Sequence, residues 1–393
     1  MSNVANKMVQ AAAGNTGDSP FGNLFQAASG YGRTLDISDI NNISTQDSWT
    51  VADNAWYEPT GSAIDREKGL VFIVNGSVSP KLTVWDISDP TDVTLLSTNS
   101  QNSGSFSAAN GIAINTTTQR IYVIGGAVSK LTSYQYSDAG VMTYKSQYYF
   151  GSHTKPGGIA IDTEDDRLYV VTKRNTNAAG LGSHYEFDIS TPDTFTNIGS
   201  PATNTFDDTD PIRSTSSTHL SGYENRSEFD IDTKILYGSR ADERAVTAID
   251  VSTNGAYSNQ TMTLKDVVTS GVYALKAATM DFNDKLYFVV NQTRLSCVDV
   301  SDPDNLAVTD TLENLLCATT SSIIHYDLKV DPARKLLFQV SSFNKHNFNG
   351  VVSARMNIID YSDPTDLTLT TFDTPSVVTD ASRAADGYRL ELF

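Results

Sequence analysis

Four polar residues at comparable places along the chain carry side chains that could hold a divalent cation: Glu58, Asn110, Glu224 and His325. Carboxylate, amide and imidazole groups are common metal ligands, and a metal with an open position can activate water for hydrolysis. Each residue precedes a segment of alternating apolar and polar residues. The set predicts either a hydrolytic metal site or polar residues at a solvated rim, and its mixed composition favours the rim.

Two groups of carboxylates could bind calcium, which prefers closely spaced oxygen ligands. Asp207, Asp208 and Asp210 form one group, but their spacing does not follow the calcium-loop pattern, so a solvated loop is favoured. The other group, residues 162–166, falls where every comparable segment has a turn. We therefore predict no bound cofactor, with calcium as the alternative.

The sequence contains no familiar catalytic motif. There is no nucleophile elbow, no His-Glu-x-x-His helix and no glycine-rich phosphate loop. Cys297 and Cys317 are the only two cysteines, and without zinc spacing they are predicted to be buried or free thiols. These observations predict a protein that is not an enzyme.

Aromatic residues suggest a second kind of site. Phe343, His346 and Phe348 lie in a long polar segment, 342–352, where they could stack on a glycan or contact a protein. The run 148–150, Tyr-Tyr-Phe, could do the same, but packing inside the fold is the favoured interpretation for it.

The elements that must position these residues repeat along the whole chain. Leu82–Pro90, LTVWDISDP, is an alternating strand that runs into a Ser-Asp-Pro turn. In such a turn Pro presets its own φ, and the Asp or Ser side chain bonds to the backbone two residues on. The copies begin at Asp36, Asp86, Asp188, Asp250, Asp299 and Asp360, and a worn copy covers residues 136–138.

A second repeated feature precedes each of these strands. It is an alternating strand that ends in Asp or Asn, followed by a polar turn and a strand that is apolar throughout, as in GIAIDTEDDRLYVV. The strands end at Asp65, Asn115, Asp162, Asp230, Asp281 and Asp331, which are 50, 47, 68, 51 and 50 residues apart. A period near fifty residues with four short strands per unit is typical of a β-propeller.

Six complete units and seven turns indicate that the chain ends share a blade. Residues 33–49 are predicted to supply its third and fourth strands, and residues 381–393 its first and second. The predicted fold is an all-β, seven-bladed β-propeller over residues 31–393, closed by N- and C-terminal strands.

Residues 1–30 are predicted to form an N-terminal arm, because they are rich in Ala, Asn and Gly and lack strand alternation. Phe21, Leu24 and Phe25 have helical spacing after Pro20, which suits the first position of a helix. We predict that these three residues dock on a partner protein. A tail that is disordered or packed on the propeller is the alternative.

The repeat resembles that of the LVIVD family, a bacterial and archaeal β-propeller repeat found mostly in surface proteins. The segments that carry the resemblance are Leu82–Pro90, Ser296–Pro303 and Ile358–Pro364. The resemblance implies a propeller scaffold that is not tied to one reaction.

Charge and composition limit the partners. A formal charge of −18 over 393 residues opposes binding to nucleic acid and to anionic membranes, and no apolar run is long enough to span a bilayer. The N-terminal residues do not follow the pattern of a secretory signal. We predict a structural or binding propeller of a virion, as a capsid decoration or tail-associated protein that contacts other proteins. A cell-surface propeller that binds glycan or protein, and a metal-dependent lactonase-like hydrolase, are the alternatives.

Overall fold

The computed structural model describes most of the predicted repeats. The described residues are 21–28, 31–50, 59–75, 82–99, 109–125, 129–151, 154–174, 183–191, 193–199, 227–240, 245–252, 263–269, 277–290, 294–313, 326–341, 355–373 and 388–393. All the regular elements among them are strands. No described segment forms a helix long and apolar enough to cross a membrane.

The strands have the short lengths that the repeat predicts. In chain order they are β1 (Asn23–Ala28), β2 (Tyr31–Asp36), β3 (Ser44–Thr50), β4 (Pro59–Asp65), β5 (Leu70–Asn75), β6 (Leu82–Asp86), β7 (Thr94–Asn99), β8 (Ala109–Asn115), β9 (Arg120–Gly125), β10 (Lys130–Tyr136), β11 (Met142–Tyr149), β12 (Thr154–Asp162), β13 (Arg167–Arg174), β14 (Ser183–Asp188), β15 (Thr196–Gly199), β16 (Ser227–Asp230), β17 (Ile235–Arg240), β18 (Ala245–Asp250), β19 (Thr263–Thr269), β20 (Ala277–Asp281), β21 (Leu286–Val290), β22 (Leu295–Asp299), β23 (Ala307–Leu312), β24 (Tyr326–Asp331), β25 (Leu336–Ser341), β26 (Arg355–Asp360), β27 (Thr368–Asp373) and β28 (Tyr388–Leu392).

These strands form seven four-stranded antiparallel sheets, which are the blades of the propeller. Blades 1 to 6 consist of consecutive strands, starting with β4–β7 and ending with β24–β27. Blade 7 has the order β28-β1-β2-β3. The innermost strands touch their neighbours in turn and the ring closes where β28 meets β4. The predicted seven-bladed propeller is confirmed.

The closing blade differs from the prediction in one respect. It takes one strand from the C-terminal end and three from the N-terminal end, with Leu24 opposite Leu392 and Ala28 opposite Tyr388. The helix predicted to begin at Pro20 is wrong over Asn23–Ala28, because β1 is the second strand of a blade and such a strand is covered on both faces. Leu24 and Phe25 are fully buried, so neither side chain is available to dock on a partner.

Phe21 is half-buried and packs against the same apolar cluster as Leu24. The propeller therefore begins at least ten residues earlier than the boundary predicted at residue 31. Residues 1–20 of the predicted arm lie outside the described residues.

The repeated Asp-Ile-Ser turn joins two parts of each blade. In blade 1 the Asp86 Oδ1 accepts hydrogen bonds from the Ser88 backbone N–H at 2.9 Å and from its hydroxyl at 2.6 Å. Ile87 is buried, and its N–H donates to the carbonyl of Gly69 at 2.8 Å. Gly69 has a φ of +64° and ends the first hairpin, so the repeat ties the turn between the third and fourth strands to the first hairpin.

The core lies between neighbouring blades. The second strands β5 and β9 are buried at every position, as expected for strands covered on both faces. The outer strand β7 is mostly exposed. One blade cannot bury its faces alone, so the fold is stable only as a closed ring.

Three of the aspartates that end the innermost strands, Asp162, Asp230 and Asp281, form ion pairs with a lysine of the next blade. The Lys234 Nζ of blade 4 lies 2.7 Å from Asp162 Oδ2, and the Lys285 Nζ of blade 5 lies 2.6 Å from Asp230 Oδ2. Both aspartates are buried. Lys234 also contacts Glu164 and Asp165, so in this structure a lysine ammonium occupies the space among the carboxylates considered for calcium.

Candidate functional site

A cavity of about 390 Å³ lies where the innermost strands converge. Its wall comes from β4, β8, β12, β16, β24 and β28, which belong to six of the seven blades. Cavities at converging strand ends are common ligand sites in proteins. This cavity is therefore the candidate functional site of the described part of the chain.

One position of each innermost strand lies at the same level of the propeller, and we call these seven positions the axial ring; six of them line the cavity, whereas Thr279 of blade 5 is not part of its wall. These seven positions are structurally equivalent because each pairs with an aromatic residue of the second strand. The pairs are Ala63 with Phe72, Ala113 with Tyr122, Ala160 with Tyr169, Glu228 with Tyr237, Thr279 with Phe288, Lys329 with Phe338, and Glu391 with Phe25. The axial ring therefore has three alanines on blades 1 to 3 and four polar residues on blades 4 to 7.

Glu391 is the most buried carboxylate of the cavity wall, with 4% of its surface exposed. Its Oε1 accepts a hydrogen bond from the Ser62 hydroxyl at 2.7 Å and lies 3.2 Å from the Lys329 Nζ. A buried carboxylate is stable only when it is paired and hydrogen-bonded. These contacts join blades 1, 6 and 7 around a single oxygen atom.

The two residues before Glu391 are hydrogen-bonded to the blades on either side. The Leu390 N–H donates to the Asp327 carboxylate of blade 6 at 2.9 Å, and the Arg389 guanidinium donates to the carbonyl of Thr60 on blade 1. Thr60 lies at a register irregularity of β4, between Pro59 and Gly61. Groups fixed in this way keep a functional side chain in one geometry.

Ser62 interrupts a repeated motif. Blades 1, 2 and 3 have Gly-Ser-Ala-Ile, Gly-Ile-Ala-Ile and Gly-Ile-Ala-Ile at the same place, starting at Gly61, Gly111 and Gly158. Only blade 1 has a hydroxyl where the other two have isoleucine. That hydroxyl is the one bonded to Glu391.

The aromatic residues of the second strands, which pair with the axial ring, are uncharged. Burial raises the pKa of the phenols of Tyr122, Tyr169 and Tyr237, so they stay protonated at neutral pH. The ionisable side chains that line the cavity are Arg66, Glu228, Lys329 and Glu391. Arg66 donates to the Leu392 carbonyl at 2.9 Å and stays charged, so the cavity wall carries two positive and two negative side chains.

Most of the site residues predicted from sequence cannot be compared with this cavity. Glu58, Glu224 and His325 lie outside the described residues, as do Phe343, His346, Phe348, Asp207, Asp208 and Asp210. Asn110 belongs to β8, but its side chain is outside the described part. Among the described residues, no three His, Cys, Asp or Glu side chains are grouped to hold a metal ion.

Packing inside the fold is confirmed for two of the three aromatic residues at 148–150. Tyr148 and Phe150 pack in an aromatic cluster with Tyr185 and Phe187, between blades 2 and 3, whereas Tyr149 is 56% exposed. Cys297 is a buried free thiol, and burial raises its pKa to about 12. Cys317 lies outside the described residues.

Sequence analysis missed Glu391, Lys329 and Glu228. The available signal was the position two residues before the Asp or Asn that ends each first strand, where blades 1 to 3 have alanine. Blades 4 and 6 have Glu228 and Lys329 there. Glu391 could not be aligned, because β28 is followed by Phe393 in place of the aspartate.

No protein-family model matches the chain, and no curated protein matches it by sequence. Solved structures do match. A hypothetical selenium-binding protein from Sulfolobus tokodaii superposes with a TM-score of 0.68 at 7% identity, covering 98% of this chain and 95% of that one. The periplasmic gluconolactonase of Pseudomonas aeruginosa gives 0.63 at 10% identity, covering 94% and 99%. A Bacteroides fragilis protein provisionally named a 6-phosphogluconolactonase gives 0.62 at 11%, covering 96% and 99%.

At these identities the likeness shows the fold, a seven-bladed propeller, and nothing finer. It does not support the LVIVD family or a link to phages. The prediction that the chain is not an enzyme is contradicted, because proteins named as lactonases are built on this fold. That prediction relied on missing motifs, and a propeller can assemble a site from single residues on different blades. The virion setting and the partners stay predictions.

Proposed function

We propose that the protein is a hydrolase of the lactonase type and that the axial cavity is its active site. The observation that carries the proposal is the buried Glu391 carboxylate, which faces a 390 Å³ cavity and is held by Ser62 and Lys329. The lactonase names among the structural neighbours support the choice of reaction.

Glu391 has the chemistry of a general base. Its carboxylate accepts a proton from a water molecule, and the water oxygen forms a bond to the lactone carbonyl carbon. The ring C–O bond of the resulting tetrahedral intermediate then breaks. The proton held by Glu391 passes to the departing ring oxygen, so the product is an open-chain hydroxy acid and the carboxylate is restored.

Lys329 supplies the positive charge that this reaction needs. The carbonyl oxygen becomes negative in the tetrahedral intermediate, and a fixed ammonium group stabilises such an oxyanion. Its Nζ lies 3.2 Å from Glu391 Oε1, so base and ammonium reach the same part of the cavity. Ser62 orients the carboxylate through its hydrogen bond.

The test is the hydrolysis of D-glucono-1,5-lactone, followed by pH-stat with the uncatalysed rate subtracted. Glu391→Gln removes the base, and we expect kcat to fall about 100-fold or more. Lys329→Met removes the oxyanion partner, and we expect a loss of about 100-fold. Glu186→Gln is the matched control, because Glu186 is equally buried but pairs with Arg167 and does not line the cavity.

Equal rates for the wild type and Glu391→Gln would overturn the proposal, as would a wild-type rate no higher than the uncatalysed one. Loss of activity in Glu186→Gln with an unchanged melting temperature would place the reaction elsewhere.

A further inference from the structure

Arg66 gives blade 1 a cation where the next five blades have none. It directly follows Asp65, the aspartate that ends the innermost strand of blade 1. The residues at the same place in blades 2 to 6 are uncharged: Thr116, Thr163, Ile231, Phe282 and Pro332. Arg66 lines the axial cavity, and much of its side chain is exposed. The cavity therefore has one cation that solvent and ligands can reach.

Two contacts hold the Arg66 guanidinium in one orientation. Its Nε donates to the Leu392 carbonyl of blade 7 at 2.9 Å, and its central carbon lies 5.0 Å from the centroid of the Phe21 ring. A planar guanidinium that is stacked on an aromatic ring loses little further freedom when it binds a ligand. Among the described residues, the two terminal nitrogens of Arg66 have no hydrogen-bond partner. Arg66 therefore presents an oriented pair of terminal donors at the cavity.

The charges of the cavity wall are unevenly placed. Glu391 lies 3.2 Å from the Lys329 Nζ, and its charge also interacts with that of Arg66, so one carboxylate serves two cations. The fourth charge, Glu228, belongs to blade 4, which stands opposite blades 7 and 1 in a ring of seven. The carboxylates next to Arg66 in the sequence, Asp65 and Glu67, do not line the cavity. The side formed by blades 6, 7 and 1 therefore has one positive charge in excess.

We propose that Arg66 binds an anionic oxygen group, a carboxylate or a phosphate, on the ligand that occupies the axial cavity. The two terminal nitrogens donate parallel hydrogen bonds to two oxygens of that group, the geometry in which arginine recognises both groups. The rest of the ligand reaches Glu391 and Lys329. This inference rests on the proposed function, because it names the substrate class of the same site, a lactone that bears an acidic substituent.

Binding is tested separately from catalysis with three sugars that share one ring and differ at the sixth carbon: D-glucose, D-glucuronate and D-glucose 6-phosphate. We expect the wild type to bind the two anionic sugars about tenfold or more tightly than D-glucose, measured by isothermal titration calorimetry. The tighter of the two identifies the group as carboxylate or phosphate. Because Arg66 is exposed, the preference should shrink as sodium chloride is added.

Variants of two neighbouring cations assign the preference to one residue. Arg66→Gln keeps an amide donor but removes the charge, so we expect the anionic sugars to lose about tenfold in affinity and D-glucose to change less than about threefold. Arg66→Lys keeps the charge and loses the fork, and we expect a loss of about threefold or more. It replaces Arg66→Gln if that variant does not fold. Lys68→Gln is the matched control, because Lys68 pairs with the exposed Asp138 and does not line the cavity.

The inference is overturned if the wild type binds none of the sugars or binds all three alike, or if the folded Arg66 variants keep the full preference. An equal loss in Lys68→Gln would also overturn it, since the preference would then come from surface charge in general. A wild type that prefers the anionic sugars but hydrolyses no lactone would remove the proposed function and leave the Arg66 site in place. Hydrolysis of the lactone without any preference for anionic sugars would remove only this inference.

Discussion

At the scale of single residues, lysines of the next blade pair with three of the aspartates that end the first strands, Asp162, Asp230 and Asp281. Asp230 is 1% exposed and its carboxylate depends on Lys285 Nζ, 2.6 Å away on the next blade. Lys285→Met leaves this charge without its cation. Because the lysine side chain is 27% exposed, we expect a loss of about 2 kcal/mol in the free energy of unfolding, below the range for a fully buried pair, measured by urea denaturation.

The control at this scale is Lys68→Met. Lys68 lies 2.6 Å from Asp138, but Asp138 is 80% exposed, so water replaces the lost contact. We expect no measurable change for Lys68→Met, and adding Asp230→Asn to Lys285→Met should recover stability. A Lys285→Met protein as stable as the wild type would show that Asp230 finds other partners.

At the scale of elements, the Asp-Pro-Thr turns tie carboxylates to the backbone and predict a pH dependence. The Thr365 hydroxyl and backbone N–H both donate to Asp363 Oδ1, and they lower the pKa of Asp363. A group with a lowered folded pKa stabilises the fold above its unfolded pKa, about 3.9, and the contribution is lost as pH falls. We expect Thr365→Val to raise the pKa of Asp363, read from its carboxyl carbon shift by NMR between pH 2 and 6.

The equivalent turn of blade 1 is the internal reference for that titration. The pKa of Asp89 is lowered by the same two donors, here from Thr91, and it should not change in Thr365→Val. If the pKa of Asp363 is the same in Thr365→Val as in the wild type, the backbone N–H donor alone accounts for the lowered pKa.

At the scale of the whole molecule, the closing blade decides whether the ring forms. Truncation after residue 387 removes β28, exposes the edge of β1 and removes Glu391 from the cavity. We expect the truncated protein to aggregate and to lose cooperative unfolding, because an unpaired edge strand pairs with other chains. Size-exclusion chromatography and tryptophan fluorescence measure this, since Trp49 of blade 7 stacks on Trp85 of blade 1 at 5.6 Å.

Two further experiments test whether the effect of the truncation comes from the loss of β28. A synthetic peptide of residues 386–393 should restore the monomer by adding the missing strand. Deletion of residues 1–20, which keeps all the described strands, should leave the chromatogram and the fluorescence unchanged. A truncated chain that stays monomeric and cooperative would show that blade 7 closes without β28.

Most of the fold was predictable because it depends on local patterns. The seven blades follow from the fifty-residue period, and the second strands follow from their continuous apolar runs. In the Asp-Ile-Ser turns, the Asp side chain accepts a hydrogen bond from the backbone two residues later, so these turns are also local. The short apolar segment at Leu24 and Phe25 is where this logic failed, because helix and strand spacing coincide over so few residues.

Amino-acid sequence alone therefore determined the architecture, the number of blades and the acidic charge of this protein. Only the tertiary structure decided that one C-terminal strand pairs with three N-terminal strands, since Leu24 and Leu392 pair across almost the whole chain. It also decided that Ser62, Lys329 and Glu391 meet at one cavity. The physical reason is that local patterns report which faces are buried and where the chain turns, whereas the ring closure chooses which distant side chains face one another.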